Sequence, residues 1–322
     1  MIQELKKLNR EKNKIFIYPI IILIAFISLL VYKVIHIKPD LILAILLLII
    51  VVLPLFMSYF FIRKVEKILV PYVLSQCPDW KMIVSVRKNI QFNKKDQWNT
   101  ELIPPKEIML SAILPIYIVP IVNVSFFDSL TLSLKNAFSC DNDSLTKAIT
   151  QIQYISKAER RRGEPLLQFY AGIITIKNSK NLGSITYFQT NNYPNGTDKN
   201  IIKEKSELEL PKIELAEANQ HDIDVYSNDK NVAEKLATPE LFSTIQNIKQ
   251  QFNSYYVKAV FYNDYIIFVL RNDRWGFLKY PTFSIQIPLF KNIDYPLLEQ
   301  AVNNFKLLTD LANQAPEFTK NI

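Results

Sequence analysis

Residues 259–270 read AVFYNDYIIFVL, two runs rich in β-branched and aromatic residues on either side of Asn263-Asp264. Such runs favour strands, and a polar two-residue connection between them is typical of a tight antiparallel turn. The sequence therefore predicts a β-hairpin with strands at Tyr255–Tyr262 and Tyr265–Leu270. The aromatic residues alternate, so we expect one face of the hairpin to pack in the core and the other to expose tyrosines.

Further elements are predicted on both sides of this hairpin. Alternation predicts a strand at Asp222–Tyr226, and Thr238-Pro239-Glu240 provides the cap and first turn of a helix. A final helix is predicted to open at Asp294-Tyr295-Pro296. Earlier in the chain, residues 146–157, 167–177 and 184–189 alternate like the strands of an antiparallel meander. The expected fold class is α+β, with antiparallel strands covered by helices.

Two uncharged apolar runs, Ile15–Tyr32 and Leu41–Ile62, precede this region. Each is long enough to cross the roughly 30 Å hydrocarbon core of a bilayer. The sequence therefore predicts an N-terminal two-helix transmembrane hairpin followed by a soluble domain. A third uncharged run, Ile108–Phe127, contains Pro115 and Pro120, which favours buried strands and turns over a third span but leaves both open.

These observations divide the chain into seven consecutive parts. They are a basic cytoplasmic N-terminus at 1–14, transmembrane helices at 15–32 and 41–62, a helical stem at 63–80, a first α+β part at 81–189, a loop or linker at 190–221, and a second α+β part at 222–322.

The net charge of +8 is unevenly placed. Residues 1–62 hold 7 basic and 3 acidic side chains, so the remainder carries only +4, too little to predict nucleic-acid binding. Basic residues flank both apolar runs, which predicts a multi-pass protein of the bacterial inner (cytoplasmic) membrane with both termini cytoplasmic. The expected partners are the bilayer and an unknown protein. The residues expected to touch anionic headgroups are Lys6, Lys7, Arg10, Lys12, Lys14, Arg63, Lys64 and Lys67.

Counting residues excludes several chemistries. The chain has two histidines, two cysteines and five scattered glycines, so it lacks the usual zinc motifs and phosphate-binding glycine loops. We predict no catalytic, cofactor-binding or metal-binding residues and no cofactor. The one local cluster of histidine and carboxylates is His221, Asp222 and Asp224, which is either an ion or acid–base site or a solvated strand entry.

Two candidate contact surfaces remain. Arg160, Arg161 and Arg162 lie in a charged turn, and guanidinium groups there suit anionic lipid, phosphate or an acidic partner, although such a run also serves solubility. Tyr256, Tyr262 and Tyr265 form a candidate partner surface on the hairpin, with ordinary cross-strand packing as the alternative. An exposed edge strand is a further place where a partner strand could pair.

The order of elements resembles a known family. Its motifs here are the GEP turn at 163–165, FYAG at 169–172, DVYS at 224–227, ATPEL at 237–241, the AVFYNDYIIFVL hairpin and the last helix opening with DYPLL. Together they resemble the domain-of-unknown-function 3137 family of bacterial membrane proteins, most specifically over residues 222–312. The resemblance implies architecture and carries no catalytic residues.

The expected function is accordingly that of a membrane-anchored protein whose cytoplasmic domain is an interaction or scaffold module. Two alternatives stay open. One is a membrane-associated enzyme acting through carboxylates or the arginine-rich turn, and the other is an accessory subunit of an envelope or transport assembly.

Overall fold

The computed structural model describes residues 2–17, 21, 24, 28, 61, 64–84, 88–93, 129–140, 147–156, 168–190, 210–252, 256–272, 279–280, 285–286 and 292–322. The chain forms two compact units. The first contains Met1–Cys77 and Gly276–Asn303, and the second contains Pro78–Trp275 and Asn304–Ile322.

The second unit is built on a ten-stranded antiparallel sheet. Its strands are β1 (Lys81–Val84), β2 (Lys88–Asn93), β3 (Ser129–Ser139), β4 (Lys147–Ser156), β5 (Gln168–Lys177), β6 (Ile185–Thr190), β7 (Lys212–Ile213), β8 (Ile223–Ser227), β9 (Tyr256–Tyr262) and β10 (Tyr265–Asn272). The order across the sheet is β1-β3-β4-β5-β10-β9-β6-β8-β7, and β2 also pairs with β3.

The predicted hairpin is confirmed and lies near the middle of this sheet. Tyr262 and Tyr265 are paired across the turn, and the two strands stay in register to Tyr256 and Arg271. Asn263 adopts the left-handed conformation with φ of 50°, which asparagine tolerates better than most residues. A central position explains the apolar composition of the hairpin, because strands in the interior of a sheet can be covered on both faces.

The predicted meander of 146–157, 167–177 and 184–189 is only partly correct. Strands β4 and β5 do pair, but β6 pairs with β9 and not with β5. The hairpin of β9 and β10 is inserted between β5 and β6, and the connection at 178–184 passes around its turn. There the Asn178 N–H donates to the Asp264 carbonyl (2.6 Å), and the Leu182 N–H donates to the Asn263 carbonyl (2.9 Å). These long-range hydrogen bonds replace the local pairing that alternation had predicted.

One row of directly opposite residues crosses seven strands and forms the centre of the core. Its members are Phe138, Ile149, Ile174, Phe268, Ala259, Phe188 and Val225, each no more than 2% exposed. Three aromatic contacts from helical segments cover this row. Phe242 packs on Phe188, Phe305 on Phe138 and Phe318 on Phe268.

This unit also contains helices, two of which begin at a side-chain N-cap, Asp229 and Thr238. They are α3 (Ala216–Gln220), α4 (Lys230–Leu236) and α5 (Pro239–Gln251), with the last part of α6 (Tyr295–Gln314) and a 3₁₀ helix at Ala315–Thr319. The predicted start of α5 is confirmed, because Thr238 Oγ1 accepts a hydrogen bond from the Leu241 N–H (3.2 Å). The final helix also begins as predicted, with the Leu297 N–H donating to Asp294 Oδ1 (3.3 Å).

The first unit contains α1 (Ile2–Lys12), which continues as a π-helical turn at Asn13–Ile17, and a helix α2 at residues 64–75. A two-stranded ladder pairs β11 (Lys279–Tyr280) with β12 (Ile285–Gln286). Asn9 is bound to the backbone of Ile293 in both directions, donating from Nδ2 (2.9 Å) and accepting at Oδ1 (2.7 Å). Residue 293 therefore gains the two backbone hydrogen bonds that a neighbouring strand would otherwise supply.

The fold-class prediction needs correction. Across the residues that the structure describes, no helix is both long enough and apolar enough to cross a membrane. Helix α1 has eleven residues, or about 16 Å, and several charges. Helix α6 has twenty residues, about 30 Å, but carries Glu299, Lys306 and Asp310. In place of an α+β domain behind a two-helix hairpin, the described chain is a large antiparallel sheet with few helices.

The predicted transmembrane helices at 15–32 and 41–62 are therefore not supported, and neither is a multi-pass location in the bacterial inner membrane with cytoplasmic termini. Most of these two ranges lies outside the described residues, as do all of 108–127 and most of the 190–221 linker. The sheet takes strands from both ranges predicted as α+β parts, 81–189 and 222–322.

Candidate functional site

The predicted tyrosine surface falls at the turn end of the central hairpin. Tyr262 and Tyr265 lie directly opposite each other beside the turn, and both are partly exposed. Burial raises the pKa of the Tyr265 hydroxyl, and the neighbouring Asp264 carboxylate raises it further. Tyr256 lies at the far end of β9, opposite Arg271. The structure thus brings together two of the three predicted tyrosines.

A second tyrosine pair lies on the same face of the sheet. Tyr187 of β6 is directly opposite Tyr226 of β8, and their rings stack with centroids 4.8 Å apart and planes inclined by 20°. Val260 pairs with Tyr187, and residues two apart on a strand share a face, so this pair is on the same side as Tyr262. We call Tyr187, Tyr226, Tyr262 and Tyr265 together the tyrosine face.

Buried apolar side chains occupy the middle of the sheet face that contains these tyrosines. Beside the tyrosine pairs, on the same face of the sheet, lie apolar side chains that are no more than 2% exposed, namely Ile173, Val260, Ile267 and Val269. Tyr187 is also buried, at 4% exposure, whereas Tyr226 is partly exposed. Among the side chains that the structure describes on this face, the partly exposed tyrosines lie at the turn end of the hairpin and on β8. A partner surface that includes Tyr256 stays a prediction.

A buried lysine supports the stacked pair. Lys258 of β9 is 6% exposed, and its Nζ lies 3.9 Å from the centroid of the Tyr187 ring. Burying an ammonium group is costly, and the electron-rich face of an aromatic ring offsets part of that cost. Gln189, which is directly opposite Lys258, is 3% exposed. The tyrosine face therefore also contains two buried polar side chains, Lys258 and Gln189.

A salt bridge lies at the edge of the sheet next to Tyr226. Lys212 of β7 lies opposite Tyr226, and its Nζ is 2.7 Å from Asp224 Oδ1 and 3.6 Å from Glu214 Oε1. The hydrogen bond that the Lys212 ammonium group donates to Asp224 raises the pKa of Lys212 above its ordinary value. The Lys212 side chain remains 43% exposed, so this pair is a surface feature and contributes little to stability.

The cluster of His221, Asp222 and Asp224 does not form a site in the structure. The His221 ring stacks on Phe242 with centroids 5.5 Å apart, while Asp222 is exposed and has a left-handed backbone with φ of 52°. Asp224 is held by Lys212. Among the residues that can be described, no group of three or more His, Cys, Asp or Glu side chains is placed to hold a metal ion.

The predicted basic contacts have different environments. Arg160, Arg161, Arg162 and Arg63 lie outside the described residues. Lys12 is fully buried, and desolvation lowers the pKa of its ammonium group. Lys64 donates to Glu11 Oε2 over 2.8 Å in the first unit. Contact between lipid headgroups and the other basic residues, Lys6, Lys7, Arg10, Lys14 and Lys67, stays a prediction.

Sequence reasoning identified the strands of the second tyrosine pair but missed the pair itself. Strands were predicted at 184–189 and 222–226, and the structure has them at Ile185–Thr190 and Ile223–Ser227. Nothing local indicates that these two strands are neighbours, because the loop between them and the order of the sheet decide the pairing. The Lys258 contact likewise depends on β9 lying beside β6.

Comparison of the chain with protein-family models, with curated proteins and with solved structures finds no match. The resemblance to the domain-of-unknown-function 3137 family stays a prediction from the sequence motifs.

Proposed function

We propose that this chain is a protein-interaction module that binds its partner on the tyrosine face of the sheet. The observation that carries the proposal is the register, which sets Tyr262 opposite Tyr265 and Tyr187 opposite Tyr226 on one face. Tyr226, Tyr262 and Tyr265 all keep part of their surface in solvent. Tyrosine suits such a role because it buries a large area while losing little conformational entropy.

The fixed position of the Tyr226 ring supports the same proposal. Tyr226 is held by stacking on Tyr187, and Tyr187 is in turn held against the Lys258 ammonium group. A ring fixed before binding loses less freedom when a partner covers it, which leaves more of the contact energy for affinity. Strand addition at the nearby sheet edge is less suitable, because β7 has only two residues, follows Pro211 and carries the exposed Lys212.

The enzyme alternative has less support from the described residues. Two carboxylates lie near the tyrosine face: that of Asp264 in the hairpin turn beside Tyr265, and that of Asp224, which is already bound to Lys212. Catalysis by the arginine-rich turn at 160–162 stays a prediction, as does a role as subunit of a transport assembly.

Site-specific crosslinking in the native host tests the proposal. A photoreactive amino acid at position 262 should capture one reproducible protein, whereas the same group at Tyr295, an exposed tyrosine of the first unit, should not. With the captured protein purified, Tyr262→Ala and Tyr265→Ala should each weaken binding by about thirtyfold if they are hot-spot residues. Tyr295→Ala is the matched control and should leave the affinity unchanged.

Equal capture at positions 262 and 295, or an affinity that neither Tyr262→Ala nor Tyr265→Ala reduces, would contradict the proposal. Circular dichroism and the thermal midpoint of each variant separate lost binding from lost folding.

A further inference from the structure

We infer that the edge of β8 is a second binding site, which takes an extended protein segment in place of β7. In the structure the chain itself occupies this edge with residues 211–220, which we call the edge segment. The edge segment contains β7 and α3. A strand is disfavoured on the outer side of β7, but β7 covers the edge of a longer strand. The inference goes beyond the proposed function, because it concerns the edge of the sheet and not the tyrosine face.

Little buried surface holds the edge segment in place. Ala218 is its one buried residue, whereas Ile213 and Leu215 are partly exposed and the others are exposed. Strand β7 has two residues, and α3 has five residues and no side-chain hydrogen bond at its N-cap. Segments with few buried contacts open at a lower free-energy cost than the core of a domain. We therefore expect the edge segment to leave β8 while the rest of the sheet stays folded.

The chain is fixed directly after the edge segment. The His221 ring stacks on Phe242 of α5 with centroids 5.5 Å apart, and the His221 carbonyl accepts a hydrogen bond from Gln246 Nε2 (2.5 Å). Phe242 is fully buried. Opening would therefore end at His221, and β8 would stay paired with β6.

The pairing of β7 with β8 is short and incomplete. Ile213 lies directly opposite Val225, and the Ser227 N–H donates to the Pro211 carbonyl (3.2 Å). Proline has no N–H, so position 211 cannot donate to the Ser227 carbonyl in return. A partner segment with any other residue at this position could supply that hydrogen bond, and it could pair with more of the five residues of β8.

The residues of β7 indicate which side chains fit this edge. Lys212 Nζ lies 2.7 Å from Asp224 Oδ1, and Asp224 stays on β8 when the edge segment leaves. The next residue is Ile213, whose β-branched side chain suits a strand. We therefore expect the partner segment to carry a lysine or arginine opposite Tyr226, followed by a β-branched residue.

Hydrogen exchange of single amides in the full chain tests the opening. Successive residues of a strand direct their N–H groups to alternate sides, so those of Val225 and Ser227 point to β7 and those of Asp224 and Tyr226 point to β6. After correction for intrinsic rates, the first two should exchange at least about tenfold faster than the other two. Equal protection of all four amides would overturn the inference, because β8 would then open as a whole.

Peptide binding tests the class of partner. The probe is a dye-labelled peptide with blocked ends and the sequence of residues 209–215 carrying Pro211→Thr, followed by fluorescence anisotropy. In the protein, Ile213→Pro removes an N–H that pairs with β8. This variant should bind the probe at least about tenfold more tightly than the wild type, because the competing β7 is weakened. A second peptide that also carries Lys212→Glu should bind more weakly, because its glutamate would face Asp224.

Glu214→Pro is the matched control, because the N–H of residue 214 points away from β8. It adds the same ring and should leave the affinity for the probe at the wild-type level. Probe binding that is equal in the two proline variants, absent from both, or unchanged by the glutamate would overturn the inference. Circular dichroism checks folding, and Ile213→Gly with Glu214→Gly replaces the pair if a proline variant does not fold. Crosslinking at position 262 tests the proposed function separately, since capture there does not depend on β7.

Discussion

Asn178 and Thr319 lie 141 residues apart and are joined by a buried hydrogen bond, in which Asn178 Nδ2 donates to Thr319 Oγ1 over 2.9 Å. The backbone N–H of Asn178 donates at the same time to the Asp264 carbonyl in the turn of the central hairpin. Lys180 extends the contact by donating from Nζ to the carbonyls of Thr319 (3.3 Å) and Lys320 (2.7 Å). One short connection thus links the hairpin turn to the C-terminal 3₁₀ helix.

Replacing Asn178 should therefore destabilise the second unit. Asn178→Ala removes a buried donor and leaves the Thr319 hydroxyl with one partner fewer, so the free energy of unfolding should fall by about 1–3 kcal/mol. Urea unfolding measures this loss. A double-mutant cycle with Thr319→Val should give a coupling energy of at least ~0.5 kcal/mol, as expected for residues in direct contact.

The exposed Ser75 provides the control for this cycle. Its hydroxyl donates to the Tyr72 carbonyl at the surface of the first unit, so Ser75→Ala should change the free energy of unfolding by less than about 0.5 kcal/mol. Additive effects of Asn178→Ala and Thr319→Val would show that the hydrogen bond between them does not contribute.

Two buried threonines of the sheet should respond in opposite ways to removal of the hydroxyl. Thr175 Oγ1 is buried and has no hydrogen-bond partner among the described residues, whereas Thr186 Oγ1 lies 2.7 Å from Ser227 Oγ. Thr175→Val keeps the shape and relieves an unsatisfied polar group, so stability should stay equal or rise by about 1 kcal/mol. Thr186→Val should instead lose about 1 kcal/mol.

Chemical denaturation of the two valine variants under identical conditions provides the comparison. A substantial loss for Thr175→Val would mean that this hydroxyl has a partner, such as a bound water, that offsets its burial.

The cap of α5 gives a prediction that depends on one atom. Thr238 Oγ1 is the acceptor for the Leu241 N–H, so Thr238→Ala should lower the free energy of unfolding by about 1 kcal/mol. Thr238→Ser keeps the oxygen and should retain most of the stability. Thermal unfolding of both variants measures the difference, and equal losses for alanine and serine would argue against a capping role.

The hydroxyl of Tyr72 in the first unit should lose its proton at a higher pH than an ordinary tyrosine. Its hydrogen bond with Tyr295 is the main cause that raises the pKa of Tyr72 to about 12, with smaller contributions from desolvation and Glu299. Because the folded-state pKa lies above the ordinary 10.0, this contribution to stability is present below about pH 10 and is lost as the pH rises towards 12.

An ultraviolet phenolate titration of the wild type and of Tyr295→Phe tests this assignment. In Tyr295→Phe, the hydroxyl of Tyr72 should titrate at a lower pH than in the wild type. In Tyr72→Phe, that titrating group should be absent. A titration curve that Tyr295→Phe leaves unchanged would exclude the hydrogen bond as the cause.

Local patterns predicted local elements well. The Asn263-Asp264 turn and the Thr238-Pro239 cap were both found as expected, because a tight turn and a helix start are decided by a few adjacent residues. The length of the apolar runs predicted the N-terminal region less well. These runs predicted transmembrane helices, but no helix in the described part of the chain has the required length and apolarity.

The candidate site was less predictable than the elements that carry it. Tyr262 and Tyr265 were identified because one turn joins them in sequence. Three strands contribute the other members of the site, Tyr187, Tyr226 and Lys258. No local sequence pattern indicates that these strands are neighbours in the sheet. The Lys258 contact with Tyr187 follows from the insertion of the hairpin between β5 and β6, and the stacking of Tyr187 on Tyr226 follows from the pairing of β6 with β8.

By itself the sequence determined which residues form the central hairpin, where α5 and the last helix begin, and that no familiar catalytic or metal motif is present. These features depend on short-range sterics and hydrogen bonding. Only the tertiary structure decided the strand order, the stacking of Tyr187 on Tyr226 and the placement of the buried Lys258 against the Tyr187 ring. Strand order is decided by the burial of two sheet faces at once, and that is a property of the whole chain.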